Sequence, residues 1–293
     1  MAREMKKDEM VIEGVTKYYG FGYTEKQTLK DCSFVLEEHK ITVLIGPSGC
    51  GKSTLVNLLA GYEEPDAGRI LMGGRQVKGP GGDRLVVFQE TALFPWMTTY
   101  SNVAFGPRAK KTGNNQEIRA MVEAMLEKVG LQEFGHKYPS HLSGGMQRRG
   151  ELARMLVNNP QVMILDEPFR GLDAMTRELM QEYFCSLLEE RQGTVFFITS
   201  EIDEAIFMAD RILIMSNQPG RIVHIMDIAL PRPRKKEMLL NRNCQEYKRE
   251  ALETLHEEAL KAFSSGSRAV QDFLEAYEHQ QQNEDSTQNG PAN

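Results

Sequence analysis

The stretch GPSGCGKST at residues 46–54 has the residue types and the spacing of a phosphate-binding loop. Its glycines would let the backbone curl so that successive N–H groups point at phosphate oxygens. In that chemistry the Lys52 ammonium reaches the β- and γ-phosphates, and the Ser53 hydroxyl ligates Mg²⁺. The apolar run ITVLI before it and a helix-forming segment after it favour a phosphate site over a glycine-rich turn without a ligand. The predicted phosphate-binding residues are Gly46, Pro47, Ser48, Gly49, Cys50, Gly51, Lys52, Ser53 and Thr54.

A second candidate group is the pair of carboxylates that ends the run VMILDE at residues 162–167. Its apolar residues predict a buried strand, and α/β sheets bind ligands at the carboxyl ends of their strands. Asp166 is the expected Mg²⁺ ligand, directly or through water, and Glu167 would polarise the attacking water. Such a run alone gives weak support, but a phosphate loop upstream makes the interpretation strong.

The elements that must position these groups follow from the hydrophobic pattern. Between the second and third apolar runs, Ile118, Val122, Met125, Leu126 and Val129 repeat with helical spacing, and Gly130 is expected to end that helix. The continuously apolar runs predict strands of a mainly parallel sheet. We therefore predict an α/β fold with an inserted helical segment at about 95–160. The short apolar runs lie at residues 41–46, 84–89, 162–167, 194–200 and 211–216.

After residue 230 the composition changes. A helical stripe is predicted through Leu252, Leu255, Ala259, Leu260 and Phe263, with a break at 264–266 and a second helix near 270–277. The end is polar and lacks residues that form a core, which is typical of disorder. We divide the chain into a nucleotide-binding domain at 10–230, a C-terminal helical extension at 231–280 and a disordered tail at 281–293.

Composition excludes several classes of function. The 293 residues carry a formal net charge of −6, which gives no basic surface for nucleic acid. The chain has no run of 18 apolar residues and no signal-peptide core at its start, so we expect it to remain in the cytoplasm. Its four cysteines are far apart and lack the spacing of metal ligands, which fits reduced thiols. Any membrane role must come through a partner.

The segment HLSGGMQ at residues 141–147 lies between the phosphate loop and the ILDE strand, and here the sequence resembles the ATP-binding cassette (ABC) ATPases over about residues 10–230. The resemblance implies a P-loop ABC ATPase domain with a RecA-like core, in which ATP and Mg²⁺ are the cofactors. It also implies that two subunits, identical or different, pack head to tail around two ATP molecules. Each ATP would then contact the phosphate loop of one subunit and Ser143, Gly144 and Gly145 of the other. A helix that begins there would offer free N–H groups to the γ-phosphate, whereas a flexible Ser-Gly linker is the alternative.

Further positions match the family one by one. Tyr19 matches the aromatic residue that stacks on adenine, although neighbouring Tyr18 keeps the choice open and a strand-end core aromatic is the alternative. Gln89 matches the glutamine that contacts Mg²⁺ and the water and that links the site to the transmembrane partner. The segment 171–173 matches the loop that crosses the dimer interface, and Arg170 and Gly171 are a mild departure from the small residues common there.

One position departs from the family more strongly. After the strand TVFFIT most members carry a histidine that reaches the γ-phosphate, and this chain has Ser200. Serine is shorter and never cationic, so it cannot replace the histidine directly. We place Ser200 in the catalytic group by its position, with three explanations open. Hydrolysis is slow or uses a water at Ser200, the chain completes the site of a different cassette, or it binds ATP mainly as a switch.

Within the family, the segment 89–106 looks like importer subunits for nitrate, sulfonate, taurine and bicarbonate. The resemblance implies integral membrane permease subunits as partners, an indirect link to a substrate-binding protein, a peripheral location on the cytoplasmic face and a small anion as substrate. Phe94 and Trp96 would anchor a permease helix, or would simply pack the helical segment. The other functional classes considered are an ABC ATPase outside transport and a non-catalytic regulatory subunit.

Overall fold

The computed structural model describes residues 6–22, 25–191 and 193–264, and its centre is a six-stranded sheet in the order β10-β9-β3-β8-β7-β6. β3 pairs in parallel with β8 and β9, β7 pairs in parallel with β6 and β8, and β10 is an antiparallel edge strand. Every residue of β3, β7 and β8 is buried, because packed elements cover both faces. The predicted mainly parallel sheet is confirmed. The strands in chain order are β1 (Met10–Tyr19), β2 (Lys26–Leu36), β3 (Ile41–Ile45), β4 (Ala67–Met72), β5 (Arg75–Gln76), β6 (Arg84–Val87), β7 (Val162–Asp166), β8 (Thr194–Ile198), β9 (Arg211–Met215) and β10 (Ile222–Asp227).

A smaller antiparallel sheet, in the order β2-β1-β4-β5, packs beside the central one. Helix α1 shares an apolar cluster with both sheets, through buried residues such as Leu55 and Leu59. Phe34 of β2 also stacks on Phe196 of β8, with ring centroids 6.0 Å apart. The helices are α1 (Lys52–Ala60), α2 (Thr99–Lys110), α3 (Asn115–Lys128), α4 (Gly144–Leu156), α5 (Ala174–Arg191), α6 (Ile202–Met208) and α7 (Arg242–Ser264).

Three helices, α2 to α4, lie in sequence between β6 and β7, in the region where the helical segment was predicted. Helix α3 begins at a capping box in which Asn114 and Glu117 satisfy each other's backbone N–H groups. It ends where predicted, because Gly130 follows in a left-handed conformation (φ 64°). Ser143 caps the start of α4, and its hydroxyl accepts a hydrogen bond from the Met146 N–H.

The parallel strands are slightly shorter than the apolar runs that predict them. β3, β6, β7 and β8 each end one or two residues before the run ends. Since these strands are parallel, the residues that follow them meet at one edge of the sheet. Those residues are Gly46, Gln89, Glu167 and Ser200.

Helix α7 packs against α6, and its buried side differs from the prediction. The predicted stripe is wrong at Leu252, which is 47 % exposed. The buried line runs instead through Cys244, Ala251 and Glu258, which are seven residues apart and therefore recur about every second turn. Glu258 belongs to it because its carboxylate accepts a hydrogen bond from the N–H of Asn217.

The predicted second C-terminal helix near 270–277 and the tail at 281–293 lie outside the described residues. The proposed boundary at 230/231 falls in the connection between β10 and α7. Within the described ranges, no helix is both long enough and apolar enough to cross a bilayer.

Candidate nucleotide-binding site

The predicted phosphate loop connects β3 to α1, and glycines shape it. Gly49 (φ 77°) and Gly51 (φ 107°) adopt positive φ values that side chains rarely tolerate. Gly51 is also the residue before α1, and a Cβ there would lie 2.7 Å from Cδ2 of Leu29. The loop therefore requires glycine at 51 for both its backbone conformation and its packing.

Replacing Gly51 with alanine should lower the free energy of unfolding by about 2 kcal/mol, because the methyl group adds steric overlap to a left-handed backbone. It should also weaken ATP binding, since the loop amides move. Urea unfolding and equilibrium ATP binding measure the two effects. Gly74→Ala is the matched control: Gly74 has φ 78° in the turn between β4 and β5, with nothing within 4 Å of an added Cβ. Equal ATP affinities for the two variants would contradict the assignment of the loop.

Lys52 is held within the loop by the loop's own backbone. Its Nζ donates to the carbonyl oxygens of Gly46 and Pro47, both at 2.9 Å, and lies 3.9 Å from the Cys50 sulfur. Burial raises the pKa of the Cys50 thiol, although the nearby Lys52 ammonium opposes the rise. Cys50 is therefore a buried thiol of the loop rather than a reactive thiolate.

Ser53 and Asp166 come from different elements and meet at the strand-end edge. The Ser53 hydroxyl donates to Oδ2 of Asp166 at 3.2 Å. Burial raises the pKa of the Asp166 carboxyl, and the Ser53 hydrogen bond opposes that rise. Hydroxyl and carboxylate oxygens are ligands that Mg²⁺ prefers, and a divalent cation would offset the burial of this carboxylate. In the described residues no three His, Cys, Asp or Glu side chains cluster as metal ligands, but Mg²⁺ usually takes only one or two carboxylates together with phosphates.

Glu167 follows directly after β7 in a left-handed conformation with φ 44°. Its N–H donates to the carbonyl of Ile198 at the end of β8, at 2.9 Å, which ties the turn after β7 to the neighbouring strand. Its carboxylate accepts a hydrogen bond from Nη1 of Arg170 at 2.7 Å. Gln89 and Ser200 are exposed at the neighbouring strand ends, so the structure gathers all three predicted catalytic residues at one edge.

Tyr19 lies beside the phosphate loop and Tyr18 does not. The Tyr19 hydroxyl donates to Oε2 of Glu63 at 2.5 Å, and Tyr19 is also hydrogen-bonded to Thr54. Burial and the Glu63 carboxylate raise the pKa of the Tyr19 phenol. The Tyr18 hydroxyl instead accepts a hydrogen bond from Gln27 of β2. The structure therefore favours Tyr19 as the aromatic residue of the site.

The segment with Ser143, Gly144 and Gly145 lies in the helical part of the chain, at the start of α4. Ser143 is exposed and Gly145 is half-buried. Both border a surface cavity that is also lined by Thr176, Leu179 and Tyr183 of α5. The structure does not place this segment with the phosphate loop of its own chain, so its predicted contact with ATP requires a second subunit.

A buried ion pair that the sequence interpretation missed ties α4 to the segment around Gln89. The Arg148 guanidinium donates to the carbonyls of Phe88 (2.8 Å) and Gln89 (2.5 Å) and lies 2.7 Å from Glu151. Glu151 in turn accepts the N–H of Ala92 at 2.9 Å. We call these contacts the Gln89 clamp. The sequence contained one indication of this ion pair: Arg148 and Glu151 are opposite charges at i, i+3, and both lie on the buried side of α4.

A second missed residue, Arg177, connects the segment after Gly171 with the segment after Ser200. Its guanidinium contacts Glu201 at 2.5 Å and donates to the carbonyl of Leu172 at 3.0 Å. The loop that follows Glu167 and the loop that follows β8 are therefore linked through Arg177 of α5.

The aromatic residues near Gln89 form a partly exposed group. Trp96 is 70 % exposed and stacks on half-buried Phe94 with ring centroids 5.5 Å apart, while Phe105 of α2 meets Phe94 edge-on at 5.0 Å. The Arg154 guanidinium also lies over the Phe94 ring, 5.2 Å from its centroid. Phe94 thus packs the helical segment, and Trp96 remains available to a partner. We call Phe94, Trp96 and Phe105 the aromatic patch.

A glycine-rich phosphate loop and an acidic strand end, side by side on a parallel sheet, define this chain as a P-loop nucleoside triphosphatase. Comparison with known proteins gives the family. Residues 29–170 match the family model described as ABC transporter. One relative is the uncharacterised ABC transporter ATP-binding protein MJ0412 of Methanocaldococcus jannaschii. It is 38 % identical over 89 % of this chain and 96 % of its own length. The nitrate import ATP-binding protein NrtD of Synechococcus elongatus is 42 % identical over 72 % of this chain and 78 % of its own length.

A solved structure agrees with these relatives. The ATP-binding cassette MJ0796, determined as a dimer in a post-hydrolysis state with ADP and Pi, matches with a TM-score of 0.67 and 28 % identity. The match covers 76 % of this chain and all of that one. This chain belongs to the family of ABC transporter ATP-binding proteins. It is an ATPase, the ATP-binding and ATP-hydrolysing subunit of a membrane transporter.

Proposed function

We propose that this ATPase drives an importer for a small anion and that the residues at the strand-end edge carry the chemistry. The observation that carries the assignment is the meeting of the phosphate loop after β3 with Asp166 and Glu167 at the end of β7, at the same edge of the parallel sheet, where the Ser53 hydroxyl contacts Asp166. Lys52 and the loop amides hold the β- and γ-phosphates. Glu167 orients and polarises the attacking water, and Gln89 contacts the same water. Tyr19 packs on the adenine ring.

Mg²⁺ fits the same site. Ser53 and Asp166 supply two oxygens that are already within 3.2 Å of each other. Gln89 is the third protein group that we assign to the ion, from the neighbouring strand end. When bound, Mg²⁺ neutralises charge that develops on the phosphate oxygens.

The second subunit is a cassette of the same kind, identical or different. Ser143, Gly144 and Gly145 begin α4 away from their own phosphate loop, and the helix start offers N–H groups to an anion. The cassette MJ0796, which has this fold, forms a dimer. We propose that these three residues close over the ATP of the partner subunit, and that the loop at 171–173 lies in the interface.

We propose that the chain sits peripherally on the cytoplasmic face of the membrane, bound to integral permease subunits that work with an external substrate-binding protein. The aromatic patch lies close in sequence to Gln89, and exposed Trp96 offers an apolar anchor for a permease helix. Relatives named for nitrate, bicarbonate and aliphatic sulfonates support a small anion as the substrate. No nucleic-acid role is proposed, since the net charge is −6.

Affinity capture of the tagged full chain from detergent-solubilised membranes of its native host tests this proposal. Integral membrane subunits should co-purify, and Trp96→Ala should reduce their recovery about tenfold, because a central aromatic anchor is lost. Leu240→Ala is the matched control, since Leu240 is 80 % exposed and lies outside the aromatic patch. Capture without any integral membrane protein would contradict the transporter assignment, and unchanged recovery with Trp96→Ala would contradict only the docking surface.

A further inference from the structure

The strand-end edge contains an ion pair that the proposed mechanism has not used. Arg170 lies three residues after Glu167, and its Nη1 is 2.7 Å from Oε2 of that carboxylate. The Glu167 side chain is only 10 % exposed, whereas the Arg170 side chain is 61 % exposed. The guanidinium therefore reaches in from the rim of the site and covers one oxygen of the carboxylate that we assign to the attacking water.

The backbone holds this pair in place. The Arg170 N–H donates to the Glu167 carbonyl at 3.1 Å and closes a turn, and the Glu167 N–H is bonded to Ile198. Phe169, between the two charged residues, is buried against Phe184 and Phe197 and fixes the turn to the core. Exposed ion pairs usually contribute little because both side chains must be ordered. Here the turn and buried Phe169 already fix the backbone of both charged residues, so less conformational entropy is lost when the ion pair forms.

The charges around the reacting group explain why such a pair matters. The Glu167 carboxylate and the γ-phosphate are both negative, so their approach is unfavourable unless a cation lies close to them. At the end of β8 the exposed Ser200 is neutral and contributes no positive charge. Arginine keeps its charge at any physiological pH and holds carboxylates through directed hydrogen bonds.

We propose that Arg170 is a positioning residue for ATP hydrolysis. It holds the Glu167 carboxylate through Oε2, leaves Oε1 to accept a hydrogen bond from the attacking water, and provides positive charge that Ser200 does not. This inference rests on the proposed role of Glu167.

Steady-state ATPase kinetics of the full-length protein test it. Arg170→Ala should lower kcat about tenfold, the size expected for one lost charge-assisted hydrogen bond, with KM for ATP changed by less than about twofold. Arg170→Lys should retain part of the rate, because the charge remains. Ser200→His added to Arg170→Ala should recover part of the loss, since histidine can carry positive charge at the neighbouring strand end. Ser200→His alone is the reference, and an equal fold-gain with and without Arg170 would indicate a purely structural role for Arg170.

Two controls separate the possible failures. Arg69→Ala removes an equally exposed arginine from its pair with Glu13, at 2.5 Å, and should leave kcat unchanged. If Glu167→Gln abolishes turnover while Arg170→Ala equals wild type, the inference about Arg170 is wrong and the proposed function stands. A faster Arg170→Ala enzyme would equally overturn the inference, because the ion pair would then restrain Glu167. If Glu167→Gln itself remains active, the proposed catalytic role fails first.

Discussion

Replacing Glu167 with glutamine is expected to lower kcat for ATP hydrolysis by about 10²–10⁴-fold, the usual contribution of a general base. The amide has nearly the same shape but cannot accept the proton of the water. Because Glu167 is 9 % exposed and its N–H is bonded to Ile198, an isosteric change should leave the turn intact. Single-turnover hydrolysis with excess enzyme measures the chemical step directly.

The comparison variant for Glu167→Gln is Lys52→Ala, which should fail at an earlier step. Without the Lys52 ammonium the β- and γ-phosphates lose their principal protein cation, so equilibrium ATP binding should weaken severely. Glu167→Gln should instead bind ATP as tightly as wild type and remain longer in the ATP-bound state. Loss of binding in Glu167→Gln, or normal binding in Lys52→Ala, would contradict the separation between the group that binds phosphate and the group that polarises water.

The sequence is enough to propose the phosphate loop and the acidic strand end, because both are short contiguous patterns. Within each pattern are the residues that determine its structure. The phosphate loop has glycines at the positions of positive φ, and the acidic strand end has two carboxylates after a buried strand. The meeting of Ser53 and Asp166 also follows, since both are placed by the carboxyl ends of parallel strands.

The sequence could not choose between Tyr18 and Tyr19 because β1 is irregular. Strand alternation assigns side chains to faces only while the register is regular, and β1 shifts register against β2 between Val15 and Lys17 and between Lys17 and Tyr18. Long-range hydrogen bonds distinguish the two residues: Tyr19 bonds to Glu63, 44 residues away, whereas Tyr18 bonds to Gln27. Tyr19 as the residue that stacks on adenine stays a prediction.

Three other features depend on backbone conformation or distant contacts that cannot be read from the sequence: the Arg170–Glu167 pair, the buried side of α7 and the Gln89 clamp. The pair of Arg170 with Glu167 is local, but it forms because Glu167 adopts φ 44° and turns the chain back. On α7, helical spacing alone predicted Leu252 inside. The buried line passes through Glu258 instead, because its carboxylate accepts a distant backbone N–H. The Gln89 clamp also depends on the folded conformation. The sequence shows that Arg148 and Glu151 are three residues apart on one helix, but it does not show their hydrogen bonds to residues 59 and 60 positions away.

Breaking the Gln89 clamp with Arg148→Met should lower the free energy of unfolding by about 3–5 kcal/mol, because a buried carboxylate loses its main partner. The side chains of Arg148 and Glu151 are only 4 % and 2 % exposed. Arg154, 3.7 Å from Glu151, is too distant to replace Arg148 fully. Urea unfolding measures the loss. Arg149→Met is the matched control, since half-buried Arg149 donates to the Val129 and Gly130 carbonyls, and its loss should cost about 1 kcal/mol.

The stability deficit of Arg148→Met should depend on pH in a defined direction. Burial already raises the pKa of the Glu151 carboxyl, and the Arg148 guanidinium opposes that rise, so removing Arg148 raises it further. A carboxyl whose pKa is higher in the folded state binds protons more tightly there, so its contribution to stability falls as pH rises through that pKa. The deficit should therefore be largest at neutral pH and shrink as pH falls towards the ordinary range of a carboxyl group. A deficit that is independent of pH would contradict an unpaired Glu151 carboxylate as its cause.

The double variant Arg148→Met/Glu151→Leu separates stability from function. It removes both charges, so it should recover most of the stability, as buried ion pairs replaced by apolar residues often do. It cannot restore the hydrogen bonds to the carbonyls of Phe88 and Gln89, or the one from the Ala92 N–H. The segment that carries Gln89 would then be released from α4, the helix that begins at Ser143. We therefore expect a stable protein whose ATPase rate responds less to the permease than that of wild type, and an undiminished response would show that the clamp serves folding alone.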